Sequence, residues 1–431
     1  MNPVWRILLV LALCLSVDAT PAADDAKLEG QPILQITITG LKRTKVAFVL
    51  DRLASRVGQP FQAAGIEQDD ERMDRMGLFS SIQIVPVQRE NGVDLEIQLS
   101  EIAPFLPYPS LEYNDENGVA LGGGVKFGNL LGRGISGSIS ARFGGQTDME
   151  ILLDSAWSPN PSPWYDVVTY YRNRLNSLDD FKENAFEGVL RAGYQFHPAF
   201  RLGGQFDYMS MQSDTPEATL SPSNRDWTPG LGVVAEYDTR DFVSNPRRGW
   251  RNSVDFTKYG GFLSGDGDFA RVNFDVRRFH PIGDRHSVAL FSLTTLQSGT
   301  VGEEIPVYRD FHIGGANTIR GWDIGAREGK NQMINTLEYR YDVLKIRSFR
   351  VFGIGLYAGV QVAAFGDLGT AWNDSDDFTR NFIGGGGFGV RLLFPYVRVI
   401  RLDFGFGQSG MGISPHFGIR EKAYNQRFRV R

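Results

Sequence analysis

Val272-Asn273-Phe274-Asp275-Val276-Arg277 alternates without a break between an apolar and a polar side chain. Successive side chains of an extended strand point to opposite faces. One face of this segment therefore carries Val272, Phe274 and Val276, and the other carries Asn273, Asp275 and Arg277. The pattern recurs further on. Leu337, Tyr339 and Tyr341 oppose Thr336, Glu338 and Arg340, and Leu402, Phe404 and Phe406 oppose Arg401 and Asp403. Charges on one face and large aromatics on the other suit a strand between a watery lumen and lipid. A soluble β-sandwich shows the same alternation with its apolar face turned inward, so the length of the train decides. From 103 to 431, roughly 20 residues per strand and connection give about 16 strands, an even number as bacterial barrels require. Turn signals at Asn117-Gly118, Gly132-Arg133-Gly134, Gly265-Asp266-Gly267 and Gly283-Asp284 punctuate the region. The expected fold is mainly β, a transmembrane antiparallel β-barrel of about 16 strands over 103–431.

Composition agrees. Fifty glycines with thirty phenylalanines and fifteen tyrosines favour many short strands. A net charge of −5 spread along the chain supplies no basic footprint, which excludes nucleic acid as a partner. At the N-terminus, Arg6 precedes the apolar run Ile7 to Val17, followed by Ala19, Ala22 and Ala23. That order is a secretory signal peptide over 1–22, with cleavage after Ala19 or Ala22 left open. The run is too short for a transmembrane helix. Cys14 is the single cysteine, and Leu13 stands where a lipoprotein signal wants a small residue. Removal of the leader leaves no cysteine, hence neither disulfides nor thiol catalysis.

Residues 33–102 read as a small α/β unit in front of the barrel. Ile36 and Ile38 alternate in a strand ending at Gly40, and Val46, Val49, Leu50, Leu53 and Val57 share a helical face ended by Gly58 and Pro60. A second helix is expected from Ile66 to Met76, stopped by Gly77. Strands follow at Ile82–Ile84 and Val93–Leu99, joined by the hairpin turn Asn91-Gly92. That order fits any small α/β domain. Gly77-Leu78-Phe79 leading into a strand makes it resemble a POTRA domain, the periplasmic module in front of outer-membrane assembly barrels. The resemblance implies binding of extended segments at a sheet edge. Pro104, Pro107 and Pro109 are expected to form the linker to the barrel.

The connection from about Gly299 to Gln332 is long for a hairpin, and long loops are often functional. It contains Phe311-His312-Ile313-Gly314-Gly315-Ala316-Asn317-Thr318-Ile319-Arg320-Gly321-Trp322. This resembles the Gly-Gly...Val-Arg-Gly-aromatic loop of the BamA/TamA superfamily of outer-membrane assembly factors and translocases, with Ile319 for Val and Trp322 as the aromatic. Other matches stand in order: Asp238-Thr239-Arg240-Asp241 with Pro246 and Gly249, then Asn335 to Arg340, then Phe365-Gly366-Asp367-Leu368-Gly369. Gly389-Val390-Arg391, Pro395 and Arg401-Leu402-Asp403-Phe404-Gly405 complete the set. The resemblance implies that the loop folds back into the lumen, where Arg320 pairs with Asp367 and has Glu338 and Arg391 as neighbours. Arginine grips a carboxylate through two parallel hydrogen bonds. Gly314, Gly315 and Gly321 would permit the turns a tucked loop needs.

Other signals carry little. Gly384 to Gly389 reads as barrel wall, since neither a βα unit before it nor a helix after it supports a phosphate loop. His197, His280, His286, His312 and His416 show no metal-ligand spacing, and Asp266 with Asp268 reads as an exposed turn. There is no Gly-x-Ser-x-Gly elbow. Neither enzyme activity, metal nor cofactor is expected. The resemblance implies an outer-membrane protein of a Gram-negative bacterium with its N-terminal domain in the periplasm. It implies insertion or translocation of unfolded or secreted proteins, through the POTRA-like domain and a seam in the barrel. Outer-membrane lipids, and a periplasmic or inner-membrane protein, are the partners that go with it. With room for one POTRA-like domain, a specialised or reduced member is expected. A passive channel or surface antigen, and a two-partner secretion transporter, are alternative uses of the same architecture. The C-terminal aromatic signal is displaced, because Phe428 is followed by Arg429-Val430-Arg431, which moves it towards Phe417.

Overall fold

The computed structural model describes residues 28–416 apart from 115–117, 156–157, 159, 177–179, 242–244, 352–353, 377, 379–380, 394–399 and 408–409. The leader, Asn117, Pro395 and the C-terminal aromatics Phe417 and Phe428 lie outside the described residues.

The N-terminal unit contains β1 (Ile33–Thr39), α1 (Val46–Arg52), α2 (Ala63–Met76), β2 (Phe79–Arg89) and β3 (Gly92–Glu101). Its sheet runs β1-β3-β2, with β1 parallel and β2 antiparallel to the central β3. Both helices cover one face, where Phe48, Val49, Leu53 and Met73 pack on Ile97 and Leu99. The first helix is shorter than its sequence suggests. Leu53 is already extended, and Val57 is 60% exposed rather than on the buried face. The reason is tertiary. Asp69 of α2, fully buried, accepts the backbone N–H groups of Ala54 and Ser55 and so offers them a partner outside the helix. Asp69→Ala is expected to lower the stability of this unit by about 1–3 kcal/mol, since it strands those donors. An earlier first transition in calorimetry would register it. The second helix begins three residues before Ile66 and ends, as read, on Gly77 in the left-handed conformation.

The barrel strands start at once. β4 (Phe105–Asn114) holds Pro107 and Pro109, so of the expected linker only Pro104 stands between the units and the rest is the first barrel strand. Proline cannot donate to a ladder and is confined to edges; β4 lies at one end of the sheet order, paired to β5 (Gly118–Leu130). Then come β6 (Ile135–Gly144), β7 (Thr147–Asp154), β8 (Ser162–Asn176), β9 (Phe181–His197) and β10 (Phe200–Ser213). β11 (Arg225–Asp238), β12 (Gly249–Gly260), β13 (Asp268–Pro281) and β14 (His286–Gln297) follow. After the long loop, with its ribbon of β15 (Phe311–Ile313) and β16 (Arg327–Gly329), β17 (Asn331–Val351) and β18 (Ile354–Trp372) re-enter the wall. β19 (Ile383–Leu393), β20 (Ile400–Gly407) and β21 (Gly410–His416) end it. Among the described residues the wall is a 16-stranded antiparallel meander from β4 to β21, with the ribbon left out.

Alternation places the charges. Along β9, Glu183, Glu187, Arg191 and Gln195 are at most 5% exposed, while Phe186, Leu190 and Tyr194 are 42–47% exposed. β13 does the same, with Asn273, Asp275 and Arg277 buried and Phe274 exposed. This inversion of the soluble pattern marks a barrel whose outer face meets lipid. No helix of the described residues is long and apolar enough to cross a membrane.

The small unit docks under one mouth of the barrel. Lys45 N–H bonds Gly132 O at 3.2 Å, Asn129 Nδ2 bonds Thr44 Oγ1 at 2.6 Å, and Asn160 Nδ2 bonds Asp51 Oδ1 at 2.7 Å. Glu101 braces this junction by accepting the Thr44 hydroxyl, the Thr44 N–H and the Arg43 N–H. Burial pushes the Glu101 carboxyl up, but those hydrogen bonds outweigh it and hold it below the usual range.

Candidate functional site: the lumen loop

The β14–β17 loop enters the barrel from the mouth away from the small unit. Its tip is closed on itself: Gly315 N–H bonds Trp322 O at 2.7 Å, and Gly314 N–H bonds the Thr318 hydroxyl at 2.7 Å. Gly314 has φ +123°, and a Cβ there would sit 2.0 Å from Asp323 O, so no other residue fits. Ile319 is fully buried against Ile313, Ile334, Ala371 and Ile383, which fixes the depth of the tip. Trp322 bonds Gly384 O through Nε1 at 2.8 Å.

These contacts deliver Arg320 to the wall. Its side chain is 0% exposed. Nε and Nη2 donate to the two oxygens of Asp367 at 2.6 and 2.8 Å, the fork-to-fork pairing that fixes orientation. Nη1 reaches Asp403 at 2.8 Å and Glu338 at 3.5 Å, and the backbone N–H also points at Asp367, at 3.2 Å. The guanidinium lies 3.2 Å from the centre of the Phe365 ring. Around it the network continues: Thr336 donates to Asp367 at 2.6 Å, Arg391 to Glu338 at 2.8 Å, and Arg340 to Glu338 at 3.0 Å. Asp367, Glu338 and Arg391 thus meet Arg320 in one buried cluster, drawn from β17, β18 and β19. A buried charge demands this many partners, because the desolvation of an ion costs several kcal/mol.

Sequence reading missed part of the cluster. Asp403 on β20 also bonds Arg320, at 2.8 Å against 2.6 Å for Asp367, and the signal was available, since Asp403 shares its lumen-facing parity with Arg401. The role of the wall glycines was also missed. A Cβ on Gly385 would lie 2.0 Å from Arg320 O, and one on Gly405 would lie 2.7 Å from Gly321 N. The wall is reduced to backbone where the loop rests on it. The Asp238-Thr239-Arg240-Asp241 motif serves elsewhere, closing the β11–β12 hairpin near the small unit, with Arg240 gripping Asp238 at 2.7 Å.

A second fastening had no counterpart in the motifs. Arg309, 5% exposed, donates to Glu187 on β9 at 2.9 Å and to Thr228 on β11 at 3.0 Å. On the ribbon, Asp310, His312 and Glu328 bring one possible ligand atom each within 4.8 Å of the others. Period two and the His312–Glu328 cross-strand pair create this set, which spacing along the chain does not reveal. His312 and Asp310 approach to 3.3 Å, an ion pair when the imidazole is protonated. A divalent cation is the kind of ligand such a donor set could hold.

Residues 32–101 match the model of the surface antigen variable number repeat, or POTRA, and residues 129–419 match that of the Omp85 superfamily domain. The outer membrane protein assembly factor BamA of Nitratidesulfovibrio vulgaris is 24% identical over 369 residues, covering 80% of this chain and 44% of that protein. BamA of Neisseria meningitidis serogroup B is 21% identical over 392 residues, covering 81% and 48%. The chain therefore spans about half the length of these relatives. Among solved structures, BamA from Haemophilus ducreyi lacking POTRA domains 1–3 superposes with a TM-score of 0.55 at 13% identity, covering 89% of this chain and 83% of that one. CdiB from Acinetobacter baumannii gives 0.53 at 14% identity, covering 90% and 71%. With a family model matched over well beyond half its length, and a POTRA unit before the barrel, the chain belongs to the Omp85 superfamily.

Proposed function

We propose that this outer-membrane protein inserts proteins into that membrane or translocates them across it, with 1–22 as leader, 33–102 as periplasmic POTRA domain and 103–431 as barrel. The observation that carries the reading is the Arg320 loop, folded into the lumen and held by Asp367, Asp403 and Glu338. That loop carries the Gly-Gly...Ile-Arg-Gly-Trp motif by which the chain resembles outer-membrane assembly factors and translocases. In this reading Gly314, Gly315, Ile319, Gly321 and Trp322 shape the loop tip, and Arg320 with Asp367, Glu338 and Arg391 holds the barrel ready for opening.

Substrate enters through the POTRA sheet, whose two edges are β1 and β2. Unpaired backbone at such an edge recruits an extended segment. The ends of the barrel sheet, β4 and β21, form the seam at which a new strand is templated. Folding of the substrate and burial of its apolar face in lipid drive the process. A periplasmic or inner-membrane protein hands substrates to the POTRA domain.

The test uses purified protein in liposomes with an unfolded outer-membrane barrel added, and protease protection followed with time. Folding faster than in empty liposomes supports the reading. No acceleration, with a large steady ion current instead, would move the assignment to a passive channel.

A further inference from the structure

We propose that Arg309 is a positioning residue, a second and weaker fastening that stretches the loop across the lumen and is the end that lets go first. It goes beyond the proposed function, because it concerns how the lumen is closed whatever passes through it.

The two arginines hold different stretches of wall. Arg320 is bound by β17, β18 and β20, whereas Arg309 is bound by Glu187 of β9 and Thr228 of β11. Beside Arg309, Tyr308 donates to Asp226 at 3.0 Å, and its ring is seated among Phe181, Met209, Met211 and Ala218. At the root of the loop, Gln297 Nε2 bonds both Arg309 O at 3.0 Å and Lys330 O at 2.9 Å, which ties the outgoing and returning limbs together. Between the two fastenings lie Gly314 and Gly315, both at positive φ. The loop is a strap anchored at two separated points.

Their strengths differ. Every side-chain nitrogen of Arg320 meets a carboxylate, and three acids share the charge. Arg309 has a direct bond to one carboxylate, and its Nε meets no acceptor among the described residues. Nearby, Asp207 accepts Tyr259 OH at 2.5 Å through one oxygen while its other buried oxygen meets no donor among the described residues. Buried groups left in this state oppose the closed arrangement and are relieved when water enters. Water that reaches this end stabilises release, whereas at Arg320 it competes with a guanidinium whose donors are already filled.

The test places single cysteines under each end of the strap, in a Cys14→Ser chain folded in detergent or bilayers. Ala218→Cys lies in the cluster that holds Tyr308, and Ala371→Cys lies in the cluster around Ile319; both positions are at most 4% exposed. Maleimide labelling should be faster at Ala218→Cys than at Ala371→Cys. Adding Glu187→Gln should raise the rate at Ala218→Cys by about tenfold or more and leave Ala371→Cys slow, with a matching rise in brief openings in planar bilayers. If Glu187→Gln fails to assemble, Thr228→Val removes only the second acceptor and should move the same rate in the same direction. Equal or faster labelling at Ala371→Cys, or an Ala218→Cys rate untouched by these changes in folded protein, would overturn the proposal. No substrate is present, so the result is independent of whether the protein folds other barrels.

Discussion

Arg320→Ala is expected to undock the lumen loop while leaving the strand ladder intact. The substitution leaves Asp367, Asp403 and Glu338 clustered without the cation that meets all three. Removing one partner of a buried charged pair costs about 3–5 kcal/mol. Arg340 and Arg391 still reach Glu338, and Thr336 still donates to Asp367, so the lower half of that range applies here. At about 1.4 kcal/mol per decade, the docked fraction falls relative to the undocked by roughly two to three orders of magnitude. The barrel itself persists, because its ladders run along the whole wall and do not involve Arg320. Three readouts follow: open bursts in planar bilayers, cleavage of the loop by trypsin, and loss of any acceleration of substrate folding. Arg320→Lys restores the charge but not the two parallel bonds to Asp367, so it should fall between the two. A variant that stayed closed and protease-resistant would show that the hub does not hold the loop.

Gly385→Ala should produce the same undocking without altering a single charge. The added methyl would stand 2.0 Å from the carbonyl oxygen of Arg320, a backbone atom that no rotamer change can move aside. Either the loop lifts or β19 bends, and β19 is held by ladders on both sides, to β18 and β20. The loop is the softer element. The next residue along supplies the control, because a Cβ on Gly386 meets nothing closer than 3.4 Å and lies on the other face of the strand. Gly386→Ala should therefore leave conductance and loop proteolysis as they are. Equal behaviour of the two variants would mean that the wall does not seat the loop at this point.

The barrel was legible because alternation is a local property. Val272 to Arg277, Leu337 to Arg340 and Arg401 to Phe406 each state their two faces without reference to the rest of the chain. Gly77 closing α2 was legible for the same reason, as was the hairpin near Asn91-Gly92, although its turn falls one residue earlier, on Glu90-Asn91. Where a partner distant in sequence intervened, local reading failed. Asp69 ended α1 early, and the place of β4 at the end of the sheet order among the described residues let Pro107 and Pro109 sit in a strand where they had read as linker.

The candidate site divides the same way. By itself, the sequence determined which residues of the alternating strands share a face, and the resemblance of the loop motif implied that Arg320 and Asp367 belong together. Only the tertiary structure decided that Asp403 shares the guanidinium, that Gly385 clears space for the loop, and that Arg309 reaches Glu187 across 122 residues of chain. The side-chain period of a strand fixes the face on which a residue stands. The curvature and register of the wall fix which of the many lumen-facing charges a loop will meet, and no local pattern encodes that.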